Sequence, residues 1–240
     1  MDLDEINGHL GGCGAEERIR WTVDHYGEGA VLLSSMQKTS SVLAHMFHAL
    51  GLDNEILFVD TGYHFHETLA LRDEFMRRYG LNVVTLYPER TPEEQEEHFG
   101  CKLYRSPDGQ PRCCDVRKTR PFLEHLRVRN RTAVIGGLRR GEGGARGRLP
   151  VVGLDARTGG VRVHPLVDWS SAQVGEYLAA HGVPVHPLHG RCYPSIGCQC
   201  CTTPVAPGED ARAGRWRHLR EGDAAGPIYC GINDSDGSGI

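Results

Sequence analysis

The sequence lacks any long apolar run, and across its 240 residues short aliphatic stretches alternate with charged ones. A helix that crosses a membrane needs about 20 mostly apolar residues in succession, so no membrane-spanning segment is predicted. The first residues also lack the basic segment and apolar core of a secretory signal, since Met1 is followed by Asp2, Asp4 and Glu5. We therefore expect a cytoplasmic protein.

An excess of basic residues is also missing, because 27 Lys and Arg stand against 31 Asp and Glu, for a formal net charge of −4. A protein that binds nucleic acid through its phosphates usually presents a basic face. We therefore predict neither a nucleic-acid partner nor a general polyanion-binding surface. A local basic pocket for a smaller anion remains compatible with this charge.

The nine cysteines are an odd number, and without a secretory signal they do not suggest a disulfide framework. Four of them form two pairs, because Cys113 and Cys114 are adjacent and Cys198 and Cys201 have C-x-x-C spacing. Four thiolates can hold zinc or an iron–sulfur cluster. Adjacent residues rarely direct both sulfur atoms at one ion, whereas they can ligate different irons of a cubane. The spacing therefore favours a [4Fe–4S] cluster over zinc, with buried structural thiols as the remaining alternative.

Short apolar runs alternate with helical patterns, which predicts an α/β fold with a parallel sheet flanked by helices. A helix is predicted at residues 171–181. The predicted strands are residues 30–34, 55–59, 82–86 and 132–135, with a further strand within 161–169. Ligands of such sheets lie beyond the carboxyl ends of the strands, so the loops there should line an active cleft.

Two of these loops carry groups that bind anions. The first begins at Ser34 and Ser35 and leads into a helix, where free N–H groups and hydroxyls can hold an anion. It lacks the motif G-x-x-x-x-G-K-[ST], so a P-loop NTPase is not supported, and a serine-capped helix start is the alternative. The second loop, residues 136–148, is rich in glycine, and its arginines can grip phosphate or sulfate oxygens unless the loop is merely solvated. These arginines are Arg139, Arg140, Arg146 and Arg148.

The composition changes after Cys201 to proline, glycine and charged residues. We therefore predict two parts, an α/β domain over residues 1–201 that carries the cysteine pairs and a mobile C-terminal tail over residues 202–240. Trp216, Leu219 and Ile228-Tyr229 are the expected docking points of this tail. Cys230 stands alone near its end, which is unusual because an unpaired cysteine is normally buried.

Several motifs follow one another, in the order of a known family, over nearly the whole chain. They are Ser34-Ser-Met-Gln37, Phe58-Val-Asp-Thr-Gly-Tyr-His-Phe65, Tyr87-Pro-Glu-Arg-Thr-Pro92, Arg112-Cys-Cys-Asp-Val-Arg-Lys118, Gly137-Leu-Arg-Arg140, Arg146 to Pro150, Tyr193-Pro-Ser-Ile-Gly-Cys198, Arg212-Ala-Gly-Arg-Trp216 and Cys230-Gly231. Together they resemble the sulfonucleotide reductases of assimilatory sulfate reduction, in the iron–sulfur subclass that reduces adenosine 5′-phosphosulfate (APS).

This resemblance implies an adenine-nucleotide α-hydrolase-like (Rossmann-like) fold, a nucleotide-binding domain over residues 1–201, and a [4Fe–4S] cluster on the two cysteine pairs. It also implies that Cys230 is the nucleophile, which attacks the sulfur of APS so that AMP leaves and an S-sulfocysteine forms. Thioredoxin or a similar dithiol then releases sulfite. The substrate-binding residues implied by the family motifs are Ser34, Ser35, Lys118, Gly136, Arg139, Arg146, Arg212 and Arg215.

Some positions depart from the family pattern. The usual tail reads Cys-Gly-Leu-His, whereas here Ile232 and Asn233 follow Cys230-Gly231, so a histidine that could assist the nucleophile is missing. Cys200 stands where proline is common and is a rival cluster ligand. The pair of Cys198 and Cys201 keeps the family spacing and is therefore preferred.

Three other functions are compatible with the sequence. The first is the same reaction on 3′-phosphoadenosine 5′-phosphosulfate (PAPS), for which Lys38 and the spare arginines would provide charge. The second is a specialised sulfur-transfer enzyme, suggested by the altered tail. The third is a nonenzymatic nucleotide sensor that contains the cluster, in which Cys230 would be incidental.

Overall fold

The computed structural model describes residues 2–220 and residue 232. Its α-helices are α1 (Leu3–Gly11), α2 (Ala15–Tyr26), α3 (Lys38–Ala49), α4 (His66–Tyr79), α5 (Pro92–Phe99), α6 (Gly109–Cys114), α7 (Arg120–Val128) and α8 (Ser171–Ala180). Its strands are β1 (Ala30–Leu33), β2 (Ile56–Val59), β3 (Val83–Leu86), β4 (Ala133–Ile135), β5 (Val152–Asp155) and β6 (Gly160–Val163). None of these helices has the length and apolar character that crossing a membrane would require.

The strands form a single sheet in the order β3-β2-β1-β4-β6-β5. All neighbours are parallel except β5, which is antiparallel to β6. The chain runs outward from β1 to β3 and then returns to β4 on the other side of β1, so the strand order reverses between β1 and β4. Ligands of open α/β sheets bind at such a reversal. The predicted α/β fold is confirmed, and the loops after β1 and β4 border the reversal point.

Alternate residues of each central strand enter two different hydrophobic clusters, because successive side chains of a strand point to opposite faces. On β1, Leu32 packs in the cluster that includes α3, α4 and α8, whereas Val31 packs in the cluster that includes α7. Phe122 and Leu126 are the α7 residues of the second cluster, and both are buried. The sheet therefore has helices on both faces, as the sequence pattern predicts.

Helix α5 begins with a capping box that fixes its position beside the sheet. The Thr91 hydroxyl accepts a hydrogen bond from the Glu94 N–H, the Glu94 carboxylate accepts one from the Thr91 N–H, and Pro92 occupies the first turn. These groups satisfy N–H donors that a helix start leaves without partners. The box sets the direction of α5 so that Gln95 is buried against α6.

Helices α6 and α7 are joined by a π-helical segment, Asp115–Thr119. The Arg120 N–H donates to the Asp115 carbonyl, five residues back instead of four. The cause lies next to it, because Pro121 has no N–H to donate and its ring crowds the preceding turn. Widened turns of this kind are frequent at functional sites, and this one follows directly on the Cys113–Cys114 pair.

Residues 202–220 fold back onto the segment that carries the second cysteine pair. Thr202 and Arg215 form an isolated antiparallel bridge, and the Thr203 N–H donates to the Gly214 carbonyl at 2.9 Å. Trp216 and Leu219 are both buried, as expected for docking points. The division of the chain at residue 201 stays a prediction.

Candidate functional site

The four predicted cluster ligands come together from two distant parts of the chain. Cys113 and Cys114 end α6, whereas Cys198 and Cys201 flank a turn of 3₁₀-helix, and all four are buried. Burial, reinforced by the nearby thiols of Cys198 and Cys201, raises the pKa of Cys113 to about 11. The two pairs therefore share one buried compartment.

Polar side chains point at three of these sulfur atoms. The Gln110 amide donates to Cys114 Sγ at 3.0 Å, the Gln95 amide lies 3.9 Å from Cys113 Sγ, and the Thr61 hydroxyl lies 3.4 Å from Cys198 Sγ. Hydrogen bonds to ligand sulfur atoms orient them and stabilise their anionic form. None of these three partners was predicted from the sequence. Only Gln110 gave a signal, since it precedes Cys114 by four residues on one helix face.

Cys200 lies beside the second pair, with its Sγ 3.7 Å from Cys201 Sγ. Hydrogen bonding from the Cys200 thiol holds the pKa of both Cys198 and Cys201 below the usual value. The same contacts raise the pKa of Cys200 itself. Cys200 is thus close enough to be the rival ligand that its position in the sequence suggests.

Lys118 lies in the π segment, one turn beyond Cys114, and its charge reaches the second cysteine pair. It helps to lower the pKa of both Cys198 and Cys201. Arg215 adds to this effect at Cys201. Two predicted substrate-binding residues therefore lie against the cysteine compartment.

Arg215 is buried and fixed by its neighbours. Its guanidinium donates to the Ile196 carbonyl at 3.2 Å and stacks 4.5 Å from the Trp216 ring centre, while its Nε has no hydrogen-bond partner. A Cβ atom at Gly197 would overlap this guanidinium. The absence of a side chain at Gly197 therefore leaves the space that the Arg215 guanidinium occupies. The buried Nε of Arg215 remains available to a ligand oxygen.

Arg117 is a buried residue that sequence reasoning did not single out. Its guanidinium donates to the Thr61 carbonyl and, at 3.0 Å, to Gln95 Oε1. It also lies 4.9 Å from the ring centre of Tyr63. Arg117 thereby ties the loop after β2 to α5 and to the π segment, and so holds Thr61 and Gln95 beside the sulfur atoms.

The loops after β1 and β4 meet at the reversal of the strand order. Ser34 is buried and its Oγ accepts from the Met36 N–H at 3.3 Å, whereas Ser35 is exposed. The Gly136 N–H continues the hydrogen bonding between β4 and β6 by donating to the Val163 carbonyl at 2.9 Å. A side chain at Gly137 would press on Thr39 at the start of α3. The structure thus brings Ser34, Ser35 and Gly136 to one edge of the sheet, and their role toward a nucleotide stays a prediction.

The arginine loop is held by groups of the protein itself. Arg139 is buried and donates to the Trp169 carbonyl at 2.9 Å and to the Ser171 hydroxyl at 3.2 Å. Arg146 forms an ion pair with Glu142. Arg139 therefore braces the loop against the start of α8, and a role of either arginine toward substrate stays a prediction.

His164 follows β6 beside Gly136 and was also missed. It is buried, its Nδ1 has no hydrogen-bond partner, and this atom would lie 3.7 Å from a Cβ at Gly136. Burial lowers the pKa of His164 to about 4, so the ring is neutral at neutral pH. Its position directly after a predicted strand, next to a predicted binding glycine, was the available signal.

The remaining predicted residues lie on or near the C-terminal segment. The Arg212 guanidinium is 5.9 Å from the Trp216 ring centre, on the same aromatic side chain as Arg215. Ile228, Tyr229, Cys230 and Asn233 lie outside the described residues. The carbonyl of Ile232 accepts a hydrogen bond from Arg162 at 3.4 Å.

The chain matches a family model described as the phosphoadenosine phosphosulfate reductase domain, over residues 29–204. The adenosine 5′-phosphosulfate reductase of Mycolicibacterium smegmatis is 37% identical over 226 residues, which cover 94% of this chain and 91% of the relative. The protein of the same name from Streptomyces coelicolor is 41% identical over 203 residues, covering 84% and 83%. Adenosine 5′-phosphosulfate reductase 1 of Bacillus subtilis is 35% identical over 222 residues, covering 92% and 91%.

Solved structures resemble this fold. The crystal structure of phosphoadenylyl-sulfate (PAPS) reductase from Candida auris, a phosphate complex, has a TM-score of 0.74 at 23% identity and covers 85% of this chain and 96% of that one. A Candida glabrata FMN adenylyltransferase in complex with FAD and inorganic pyrophosphate has a TM-score of 0.60 at 16% identity, with coverage of 91% and 68%. At these identities the likeness establishes the fold alone.

Proposed function

The chain belongs to the sulfonucleotide reductase family, and from this membership we propose that it reduces APS to sulfite and AMP in sulfate assimilation. The observation that carries the substrate is the agreement of relatives at 35–41% identity, aligned over most of both chains and named for APS reduction. The described residues supply a fitting site, with a nucleotide edge at Ser34 and Gly136 and with cations at the half-buried Lys118 and the buried Arg215. The enzyme is an oxidoreductase.

We further propose a [4Fe–4S] cluster on Cys113, Cys114, Cys198 and Cys201. The donor set fits, because four buried thiols share one compartment with amide and hydroxyl groups directed at three of them. Among the described residues no three His, Cys, Asp or Glu side chains are placed to share one metal ion. Adjacent cysteines such as Cys113 and Cys114 can ligate different irons of a cubane, whereas they rarely direct both sulfur atoms at one tetrahedral ion. When bound, the cluster would supply a compact anionic centre that joins the two segments.

The substrate would lie between the two ends of this site. We assign the nucleotide to the edge formed by the Ser34 loop and Gly136, where backbone N–H groups follow the strands. We assign binding of the phosphosulfate to Lys118 and Arg215, with Arg146 and Arg212 as further cations. The buried Nε of Arg215, which has no hydrogen-bond partner, supports this assignment. Charge-assisted bonds of this type hold phosphate and sulfate oxygens strongly.

The chemical step is proposed to begin with Cys230. Its thiolate attacks the sulfur of APS, the bond from that sulfur to the bridging oxygen breaks, and AMP leaves with the bond electrons. A thiolate of thioredoxin or a similar dithiol then attacks Cys230 Sγ, and sulfite leaves. The second thiol of the reductant resolves the mixed disulfide, so the dithiol supplies both electrons. Because this sequence needs reduced thiols, we place the enzyme in the cytoplasm.

One experiment tests both substrate and nucleophile. Protein purified without oxygen is incubated with APS and no reductant, and its intact mass and tail peptides are measured. We expect a gain of about 80 Da on Cys230 with one AMP released, as a covalent sulfo intermediate requires. Cys230→Ser should lose the adduct, whereas Cys192→Ser, an exposed cysteine in a different segment, should keep it.

The same assay decides between the alternatives. An adduct formed with PAPS and not with APS would move the substrate to the phosphorylated nucleotide. An adduct that persists in the presence of a dithiol and passes its sulfo group to another acceptor, with no sulfite released, would support the specialised sulfur-transfer enzyme. Nucleotide binding with no adduct from either substrate would contradict reductase activity and favour the sensor.

A further inference from the structure

His164 lies at the edge of the sheet to which the nucleotide is assigned. Ile135 of β4 pairs with Val163 of β6, so Gly136 and His164 are the next residues of these two strands. A Cβ atom at Gly136 would lie 3.7 Å from His164 Nδ1. Ligands of open α/β sheets bind beyond the carboxyl ends of the strands, so His164 lies beside the proposed substrate site.

The imidazole points to the same face of the sheet as α7. Val163 packs in the cluster that includes α3, whereas Arg162 lies against Phe122 of α7. Successive side chains of a strand point to opposite faces, so His164, two residues after Arg162, shares the α7 face. Lys118 lies in the π segment that leads into α7. The imidazole is therefore on the side of the sheet to which phosphosulfate binding is assigned.

One nitrogen of this imidazole is buried and has no hydrogen-bond partner. His164 is 5% exposed, and no partner of its Nδ1 is found in the part of the chain that the structure describes. Buried polar atoms almost always have a partner, so an atom without one at a ligand edge indicates a contact with the ligand. Burial keeps the ring neutral at neutral pH, and a neutral imidazole carries one N–H that it can donate from Nδ1.

The charges around His164 suit an anion. The guanidinium groups of Arg162 and Arg146 are close enough to lower the pKa of His164. Asp155 compensates Arg162 through a buried ion pair of 2.7 Å. Arg146 pairs instead with Glu142, four residues away in its own loop, and this pair is partly exposed. A ligand anion can replace the Glu142 carboxylate, because a local pair of this kind contributes little to stability.

The 5′-phosphate is the part of the substrate that fits this position. It joins the nucleoside, assigned to the Gly136 edge, to the sulfate, assigned to the cations. Its oxygens carry no hydrogen in APS and only accept hydrogen bonds, so a neutral imidazole N–H beside an arginine is a suitable donor. Nδ1 is covered in this structure. Gly143 and Gly147 give the adjoining loop the backbone freedom to admit an oxygen atom.

We propose that Nδ1 of His164 donates a hydrogen bond to the 5′-phosphate of the bound nucleotide, beside Arg146. This assignment rests on the proposed function, because it takes the nucleotide to lie at the Gly136 edge. His164 is then a substrate-binding residue in addition to those that the family motifs imply. It contacts the phosphate both before and after the sulfur leaves, so it affects the binding of APS and of AMP alike.

The test compares the binding of AMP with that of adenosine, which lacks the phosphate, by calorimetry on the anaerobically purified full chain without reductant. His164→Leu removes the donor, whereas the amide of His164→Asn can donate from nearly the position of Nδ1. The matched control is His181→Leu, an exposed histidine that follows α8. Thermal unfolding of each variant checks that the fold is intact.

We expect His164→Leu to bind AMP about tenfold more weakly than the wild type, as the loss of a hydrogen bond to a charged group predicts. The same variant should bind adenosine as tightly as the wild type. His164→Asn should bind AMP within about twofold of the wild type, because it keeps a donor. His181→Leu should match the wild type for both ligands.

Three results would overturn the proposal. Unchanged binding of AMP by His164→Leu would mean that a buried water satisfies Nδ1. Equal weakening of AMP and adenosine would place the effect on the nucleoside, and equal weakening of AMP by both His164 variants would exclude the shared donor. Sulfite release from APS is measured separately. A wild type that binds AMP but forms no sulfite would contradict the proposed reaction, while the response of the variants would still decide the role of His164.

Discussion

The side-chain amide of Gln110 donates to Sγ of Cys114 at 3.0 Å, one helical turn away within α6. Both residues are buried, so this bond is shielded from water. Because α6 ends at Cys114, the same helix positions a sulfur atom and the donor that stabilises its thiolate. Gln110, which lies one helical turn before the predicted ligand Cys114, is therefore part of the site.

Replacing Gln110 with Met should therefore weaken the site without breaking the fold. Loss of a buried hydrogen bond to an anionic sulfur is expected to cost about 2 kcal/mol. We expect faster loss of iron from anaerobically purified protein on exposure to air, measured by iron content and visible absorption over time. Gln173→Met, an exposed change in α8, should lose iron at the wild-type rate.

Cys200→Ala should retain full iron content, whereas Cys201→Ala should lose most of it. The reason is that Cys201 has the required spacing to Cys198 and is buried, while Cys200 is only half buried. Iron and sulfide analysis of both variants measures this directly. The opposite ranking would make Cys200 the ligand in place of Cys201.

Arg117→Lys should destabilise the protein by about 3 kcal/mol in denaturant unfolding. An ammonium group cannot reproduce the forked bonds to the Thr61 carbonyl and to Gln95, and it leaves buried acceptors without partners. Arg105→Lys, at an exposed position, should change stability by less than about 0.5 kcal/mol. If Arg117→Lys lowered the free energy of unfolding no more than Arg105→Lys, the forked hydrogen bonds of Arg117 would contribute little to stability.

Gly197→Ala should displace the Arg215 guanidinium, because the new Cβ would occupy its space. If Arg215 holds the phosphosulfate, KM for APS should rise by about tenfold with a smaller change in kcat, as lost ground-state binding predicts. Gly190→Ala is the control, since a Cβ there meets no atom within 4 Å. Steady-state kinetics of the two variants would separate the outcomes.

Stability should fall as the pH is lowered from 7 to 5. Burial lowers the folded-state pKa of both His164 and His186 to about 4, from a usual value of 6.5. Between these two values the unfolded chain binds more protons than the folded chain, so the neutral rings stabilise the fold above pH 6.5 and this stabilisation is lost as the pH falls toward 4. Each histidine should contribute a loss of about 2 kcal/mol by pH 5.

Urea unfolding at several pH values checks this dependence. His164→Asn should flatten the slope between pH 7 and 5, whereas His25→Asn, on an exposed part of α2, should leave it unchanged. An equal slope in the His164 variant would mean that this ring is not buried in its neutral form. The experiment needs neither substrate nor reductant.

The parallel sheet could be predicted because its central strands are continuous apolar runs buried on both faces, as in β2 from Ile56 to Val59. Strand β5 could not, since Gly153 and the exposed Leu154 break the apolar pattern at the edge of the sheet. Its pairing depends on β6, which follows it through a turn. Apolar patterns in a sequence mark strands that are buried, and a strand at the edge of a sheet is buried much less.

The candidate site divides in the same way. The cysteine pairs could be predicted because thiolates at fixed spacing carry their own chemical signal. Arg117 and Thr61 could not, because their importance lies in contacts across 56 residues of sequence. The brace between Arg139 and Trp169 also depends on the fold, through a carbonyl that any residue could supply.

The π-helical turn between α6 and α7 fixes the angle around the helix axis between Cys113 and Cys114 on one side and the sheet-facing residues of α7 on the other. The π turn uses five residues where an α-helix uses four, so removing one residue from Asp115–Thr119 would restore regular winding and leave the flanking helices in nearly the same phase. Inserting one more residue would instead rotate Cys113 and Cys114 by about 100° around the axis relative to Phe122, and the thiols or the core contact would then face the wrong way. Substitutions in this stretch change individual contacts, whereas an insertion would uncouple the cysteine pair from the hydrophobic core.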